Sequence, residues 1–539
     1  MSFLTFFSLS SHSFYIKCCY ILNIKITNYA HQKSKPSMKQ QHLFYYLVGA
    51  FMLLLIMGAG QKAAAQQPIQ WSPAQRIPDF ETGTWPPVMV ADQNRTVHAF
   101  SSQWLGEDEE ESVRAIMYNR WTLEQGWSTP IDILLSPFKN DARMTGAFLD
   151  DMGMIHVTFF GGDNTEAYIY YSRALAVNAD RATAWSTPIP VDAAGDPELA
   201  GIIGDGRGNL AIVYSGKRDG LGLYTIYSTD GGDTWTDPTA TFLTYSKDLF
   251  PVILRLSPSQ SGWINAVWDV RNSEGQGRQI NYARLNLDDG QWSEPTELSA
   301  VEAGYGVLNP AVIEYRDTVF VSYNQTPKIV IRRSSDGGQT WTEPVEPFRH
   351  VGVNGIMSFA TDSSDKLHLL WAQRISGSPD IHGTWHSVWQ DGRWSEPEAV
   401  VSGPPVRDLE GDQAFDPFEV RAVVSQGNIL LVTWRMDPGL KGNGVWYSYI
   451  SLSSPELPLA PFPTPPVTPS VESVFTPTPS SPTPTSTPKP AFEFQSSDRA
   501  SAAEMAGNPM TPLLIGMIPV ILLISFFIVR FSLASQNHR

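Results

Sequence analysis

Four arginines in this 539-residue chain stand at one kind of place. Lys217-Arg218-Asp219, Asp269-Val270-Arg271, Gln373-Arg374 and Arg435-Met436-Asp437 each close an apolar run that reads as an interior strand, and Arg143 enters from the connection Ser136 to Arg143. A guanidinium presents a rigid fork of N–H donors that pairs bidentately with a carboxylate, so several converging on one point would hold an acidic ligand. The same residues allow a plainer outcome, in which each arginine neutralises a neighbouring acid and completes its own loop. Asp196, Asp248 and Asp416 precede other strand-like runs. Asp248 joins the five arginines as a ligand-binding candidate.

Other residues invite chemistry with less support. Glu302 and Tyr305, three positions apart, have the types of a base and a nucleophile, and an ordinary surface loop accounts for them equally well. His98, His156 and His368 fall on one repeated position that elsewhere holds Ala211, Asn265, Phe320 and Leu430. They belong to different repeats, so neither a metal site nor a cofactor is expected, and no catalytic residue is assigned.

These residues are positioned by a repeat. Trp71-Ser-Pro, Trp127-Ser-Thr-Pro, Trp185-Ser-Thr-Pro, Trp235-Thr-Asp-Pro, Trp292-Ser-Glu-Pro, Trp341-Thr-Glu-Pro and Trp394-Ser-Glu-Pro recur at spacings of 56, 58, 50, 57, 49 and 53 residues. Such a period, filled with short β-type runs, marks a radial or solenoid array. One period divides into Ala311 to Tyr315, Thr318 to Tyr323 and Ile329 to Arg333, followed by a strand carrying Trp341; the last divides into Phe418 to Val424, Asn428 to Trp434 and Val445 to Ile450. Each unit is thus expected to be a four-stranded antiparallel meander. The last unit lacks a fourth strand and the Trp71 segment lacks a unit of its own. Pairing the two closes the ring and removes an exposed edge. The expected fold is all-β, a seven-bladed β-propeller with six blades as the alternative, closed by the N-terminal strand and followed by a single C-terminal transmembrane helix.

Two hairpins before the tryptophans are complete, Ser228-Thr-Asp230-Gly-Gly232-Asp-Thr-Trp235 and Ser334-Ser-Asp336-Gly-Gly338-Gln-Thr-Trp341. Two are shortened, around Asp289-Gly290 and Asp391-Gly392. In each, Asp accepts backbone N–H groups inside its own turn, Gly takes positive φ, and Trp carries apolar surface between blades. The string Ser-x-Asp-x-Gly-x-x-Trp resembles the Asp-box, or bacterial neuraminidase repeat, and the chain from about Trp71 to Ser454 is similar to the sialidase-like propellers. The resemblance implies a structural role for Asp230, Gly232, Trp235, Asp336, Gly338 and Trp341. It also implies a possible acidic-sugar site, since sialidases use a three-arginine clamp, a Tyr nucleophile with a Glu, and an Asp acid/base. Their first clamp arginine lies in an Arg-Ile-Pro string. Arg76-Ile77-Pro78 matches it in letters, but its register aligns with Asp132-Ile133 of the next repeat and puts Arg76 on an outer strand.

Meander topology places the Asp-box hairpins on the same face as the turns between first and second strands. The more varied connections Leu298 to Asn309 and Pro404 to Asp416 then lie on the other face with the arginines, and variable loops on a rigid scaffold are where binding resides. Any ligand is expected at the ring axis opposite the Asp-boxes.

The two ends have different composition. Met38-Lys39 precedes an apolar stretch from Leu43 to Met57 and then Ala63-Ala64-Ala65, the order of a signal peptide. Cys18 and Cys19 precede that cleavage point, so a mature protein would contain no disulfide. Pro455 to Pro490 holds 13 prolines in 36 residues, the composition of an extended stalk, and Pro512 to Val529 is apolar and uncharged, long enough to span a membrane. The expected layout is 1–65 extension and signal, 66–454 propeller, 455–510 stalk, 511–531 membrane helix and 532–539 cytoplasmic tail. A net charge of -16 argues against a nucleic-acid partner. The expected partner is a carbohydrate or a surface protein, bound by a monomer anchored in the cell membrane with its ectodomain outside. Hydrolysis of terminal acidic sugars by an exo-glycosidase of sialidase type is the alternative.

Overall fold

The computed structural model describes residues 70–80, 84–105, 113–163, 166–193, 200–243, 248–259, 262–301, 306–349, 355–374, 382–407, 414–436 and 444–460. All belong to the first of two compact units, Met1–Val467. The expected signal, the membrane helix, the stalk beyond residue 460, and Glu302 and Tyr305 lie outside the described residues. Among the described residues no helix is long and apolar enough to cross a membrane.

The described chain is nearly all β, interrupted by 3-10 turns at Ala176–Asn178 and Ala182–Ala184. Val88–Ala91, Val97–Leu105, Val113–Thr122 and Ile131–Leu135 form one antiparallel meander. Asp141–Leu149, Met154–Gly162, Ala167–Leu175 and Ile189–Ala193 form another. Ala200–Gly204, Leu210–Gly216, Gly222–Ser228 and Thr239–Leu243 follow, then Leu249–Pro258, Trp263–Asn272, Gly277–Asn286 and Thr296–Ala300. Val307–Tyr315, Thr318–Gln325 and Lys328–Ser334 keep only an isolated bridge, Ile331 to Val345, where the expected outer strand would run. Ser358–Thr361, Leu367–Gln373, Gly383–Gln390 and Glu398–Ser402 restore the full pattern. Pro417–Ser425, Ile429–Met436 and Val445–Ser451 end it, and Gln75–Arg76 pairs with the last of these as a fourth strand. Each unit is called below by its tryptophan, from the Trp127 unit to the Trp394 unit and finally the Trp71 unit. The first strand of every unit lies against that of the next, and Pro417–Ser425 lies against Val88–Ala91, so the series is closed.

In three units the tryptophan pairs with the third strand as the sequence reading expects, at Gly126–Trp127, Gln291–Trp292 and Arg393–Trp394, but this pairing stops before the longer outer strand. The outer strands begin after the proline of the tryptophan string, at Ile131, Ile189, Thr239, Thr296 and Glu398. Proline has no N–H to give a ladder, and it sits where the strand has not yet begun. The Ser or Thr after each Trp bridges this gap. In all the units its backbone N–H reaches a third-strand carbonyl, as Ser128 does to Arg120 at 2.8 Å. Its hydroxyl accepts the N–H of that same third-strand residue, at 2.9 to 3.1 Å for Ser72, Ser128, Ser186, Thr236, Ser293, Thr342 and Ser395.

The tryptophans then pack backwards across the unit boundaries. Trp127 meets Tyr447, Trp185 meets Phe100, Trp235 meets Tyr171, Trp292 meets Phe242, Trp341 meets Tyr282, Trp394 meets Phe320 and Trp71 meets His386, with ring centroids 4.8 to 6.4 Å apart. One large edge-to-face contact per boundary joins neighbouring sheets that share little backbone pairing.

Candidate functional site at the ring axis

The complete hairpins lie beside the turns between first and second strands: the N–H of Gly231 donates to Gly208 O at 2.9 Å. Asp230 accepts the N–H of Thr234 at 2.9 Å and its hydroxyl at 2.6 Å, and Ser228 Oγ accepts the N–H of Gly232 at 2.8 Å. Asp336, Thr340, Ser334 and Gly338 repeat the arrangement. These donors, the Thr hydroxyl foremost, hold both carboxyls down at about 2. Gly232 and Gly338, at φ 88°, leave room for the ring of the preceding unit's Tyr171 or Tyr282, which a Cβ would strike. The two Asp-box carboxylates are thus engaged within their own hairpins.

A cavity of about 500 Å³ opens at the other end of the ring. Its walls come from the starts of first strands and the ends of second strands. Trp85 and Trp104 stand in its lining, 39% and 38% exposed. Each carries an arginine over its ring, Arg435 at 4.0 Å from the Trp85 centroid and Arg114 at 4.4 Å from that of Trp104. Ser101, Ser102, Gln103 and Thr145 add hydroxyl and amide groups. Arg255 and Arg421 project into the cavity from the middle of two first strands, Leu249–Pro258 and Pro417–Ser425. Burial and then the like charge of Arg421 push the Arg255 guanidinium down to about 9, and burial also lowers Arg421, with Glu419 opposing. A guanidinium keeps its proton under ordinary conditions, so the cavity wall carries two like charges close to one another. Arg255 Nη1 donates to Leu254 O at 2.7 Å, while Arg421 Nε is buried with no hydrogen-bond partner. No carboxylate, tyrosine or histidine is found among the described lining residues.

The five arginines read from the sequence do not converge on this cavity; only Arg143 lines it. Arg143 pairs with Asp141 at 2.6 Å and lies over Phe160. Arg218 pairs with Asp192 at 2.8 Å, and Tyr214 donates to the same carboxylate. Arg271 pairs with the fully buried Asp269 at 2.9 Å and reaches Asn309. Arg374 makes a bidentate pair with Asp416 at 3.0 Å to each oxygen, shared with His382 and Arg407. Arg435 pairs with Glu419 at 2.6 Å and touches the cavity only through Trp85. Asp248 is exposed just before Leu249–Pro258 and is not in the lining. Arg76 lies on the outer strand, against Gly444. Arg255, Arg421, Trp85 and Trp104 were missed, although a charge inside Val252-Ile-Leu-Arg255-Leu and Val420-Arg421-Ala-Val is a visible signal in an otherwise apolar strand.

The repeated histidines sit in buried structural networks. His98 bridges Tyr118 OH at 2.8 Å and Asp92 at 3.2 Å, and His156 bridges Tyr171 OH at 2.7 Å and Asp150 at 3.3 Å. In the Trp394 unit the tyrosine is replaced by His386, which stacks on His368 at 2.9 Å between ring nitrogens and reaches Glu398 at 2.7 Å.

No family model matches the sequence, and no curated protein does. Among solved structures, an ulvan lyase from a new polysaccharide lyase family is similar at 13% identity, with 71% of this chain and 96% of that chain covered and a TM-score of 0.46. The endosialidase of phage phi92 is similar at 10% identity, with 74% and 71% covered and a TM-score of 0.42. The intramolecular trans-sialidase from Ruminococcus gnavus is similar at 12% identity, with 70% and 96% covered and a TM-score of 0.40.

Proposed function

We propose that the chain is a seven-bladed Asp-box propeller displayed at a cell surface, and that it binds an acidic glycan in the axial cavity without hydrolysing it. The observation that carries the reading is the pair Arg255 and Arg421, two cations lining one cavity, with Arg421 Nε lacking a hydrogen-bond partner. The two half-exposed tryptophans at its wall supply flat apolar faces of the kind that pyranose rings stack on, and a carboxylate on the same sugar would satisfy the arginines. The seven-fold count is supported by the seven tryptophan contacts and by Gln75–Arg76 completing the last unit.

Display at a surface is supported by the sequence order of signal, stalk and apolar run, and by where the chain leaves the ring. Leu457 N–H donates to Gln426 O at 2.8 Å, Ser363 Oγ donates to Pro455 O, and Glu456 pairs with Arg95, all on the turns of the Asp-box face. The test is a titration of the full-length chain with sialic acid and with a neutral hexose, beside incubation with a fluorogenic sialyl reporter. Saturable binding of the acid alone with no fluorophore released is expected. Turnover of the reporter would replace binding by hydrolysis, and binding of neither sugar would remove the glycan reading.

A further inference from the structure

A second cavity, of about 470 Å³, lies on the Asp-box face between the Trp341 and Trp394 units. Its origin is a break in the repeat. At one position of the third strand, three successive units send a side chain to the hairpin of the next. Arg173 donates to Gly231 O and pairs with Asp233; Tyr227 donates to Gly290 O at 3.1 Å; Arg284 donates to Gly337 O at 3.2 Å. Arg333 holds the same position, as its N–H bond to Thr342 Oγ1 shows. The hairpin it faces is Gln390-Asp391-Gly392, and there the latch does not form.

The Arg333 guanidinium lies instead between two rings, 4.8 Å from the Trp389 centroid and 5.9 Å from that of Phe320. Among the described residues it has neither a hydrogen-bond nor an ion-pair partner. The Lys366 ammonium, in the same lining, has none either. Arg316 is neutralised by Asp365, leaving Asp391 as the unpaired acid of the cavity.

We propose that this cavity is a second carbohydrate site, distinct from the axial one, that takes a carboxylate-bearing pyranose. The ligand carboxylate pairs with Arg333, pre-oriented by its two rings, and with Lys366. Asp391, which would repel a bare anion, accepts hydroxyl donors from the sugar ring. Thr318, Ser364 and Gln390 complete a polar wall suited to hydroxyl groups. The combination selects a polyhydroxylated acid over both inorganic anions and neutral sugars.

D-Glucuronate and D-glucose differ only in the oxidation of one carbon and so isolate the carboxylate. The full-length chain carrying Arg255→Gln and Arg421→Gln, which removes two of the four arginines lining the axial cavity, is titrated with each by saturation-transfer NMR. Glucuronate should still bind saturably and glucose far more weakly. Adding Arg333→Gln should weaken glucuronate by about tenfold or more, the scale of one lost charge-assisted pair. Lys366→Gln, a surface change with little reason to disturb folding, should weaken it less, and Arg333→Lys should recover part of the affinity. Three results overturn the proposal: no glucuronate binding once the axial arginines are gone, unchanged affinity after Arg333→Gln or Lys366→Gln in folded protein, or displacement by inorganic phosphate as effective as by glucuronate. Failure of the axial reading would appear separately, as indifference of the wild-type chain to Arg255→Gln and Arg421→Gln.

Discussion

Tyr447 donates its hydroxyl to Gln75 Oε1 at 2.7 Å across 372 positions of chain. The same seam holds Ser448 Oγ donating to Ser72 O at 2.7 Å and the fully buried Ile77. Beginning and end of the ring are therefore joined by ladder, side-chain and apolar contacts at once. Removing residues 66–80 should expose the Val445–Ser451 edge and lower stability by roughly several kcal/mol. Ile77→Ala alone should cost about 2 to 5 kcal/mol, as large-to-small core changes do. Chemical denaturation of the variants measures this, and an unchanged midpoint in the truncated chain would show that the seam does not hold the ring.

The Asp-box carboxylates serve their own turns. Asp230→Ala and Asp336→Ala should each lower the thermal midpoint, because the Thr234 or Thr340 amide and the Ser hydroxyl lose their acceptor. Sugar affinity at the axial cavity, on the opposite face, should be retained. A variant of normal stability with lost affinity would move the binding site to the hairpins.

Much of this architecture was legible because one string encodes three contacts at once. In Trp-Ser/Thr-x-Pro the Trp fills a boundary, the hydroxyl takes a third-strand N–H, and the proline marks where the outer strand may start. The partners of the arginines were only partly legible. Asp141 and Asp269 stand two residues from Arg143 and Arg271, whereas Asp416 reaches Arg374 and Glu419 reaches Arg435 through tertiary folding. Arg255 and Arg421 escaped for a different reason. The strands carrying them shift register between Pro251 and Leu254 and between Phe418 and Val420, with Glu419 at φ 52°. Such a bulge exchanges the faces of the residues beyond it, and alternation counted along the sequence cannot foresee it.

Acid should loosen the molecule in two stages. Burial above all keeps His386 below the usual histidine range, with Glu398 opposing and His368 adding to the effect. The unfolded chain takes up that proton near pH ~6.5, the folded one only at lower pH, so this contribution is full above ~6.5 and declines as pH falls. Asp362 and Asp416 are each held at about 2. Burial pulls both upward, but the approach of His368 at 3.5 Å and hydrogen bonds from Ser454 and the Lys366 N–H outweigh it at Asp362, and hydrogen bonds from His382 and Arg374 do so at Asp416. Their contribution is complete above about pH 4 and disappears as pH falls through about 2. Thermal midpoints recorded from pH 8 downward should show both declines. His386→Asn should begin from a lower midpoint and lose the first decline alone; retention of that decline would assign it to another group.

The axial arginines can be separated from the acid-paired ones by what salt and substitution do to them. Arg255→Gln and Arg421→Gln should each weaken sialic acid by about 2 to 4 kcal/mol if the carboxylate is desolvated between them. Added salt should change that loss little, because screening acts mainly on exposed charges. The same changes should leave the fold intact or raise its stability slightly, since each removes one of two like charges that repel each other. Arg218→Gln is the contrasting case: its guanidinium is half exposed and already paired with Asp192, so affinity should hold while stability falls by at most ~1 kcal/mol. Arg374→Gln should lower stability more, because it removes the bidentate partner of the buried Asp416 and leaves it only His382 and Arg407, and again spare affinity. Calorimetric titration of sialic acid against the four variants reads all of these at once. Equal affinity losses at Arg218 and Arg421 would mean that the ligand responds to the general field of the face, and the axial pair would lose its special place.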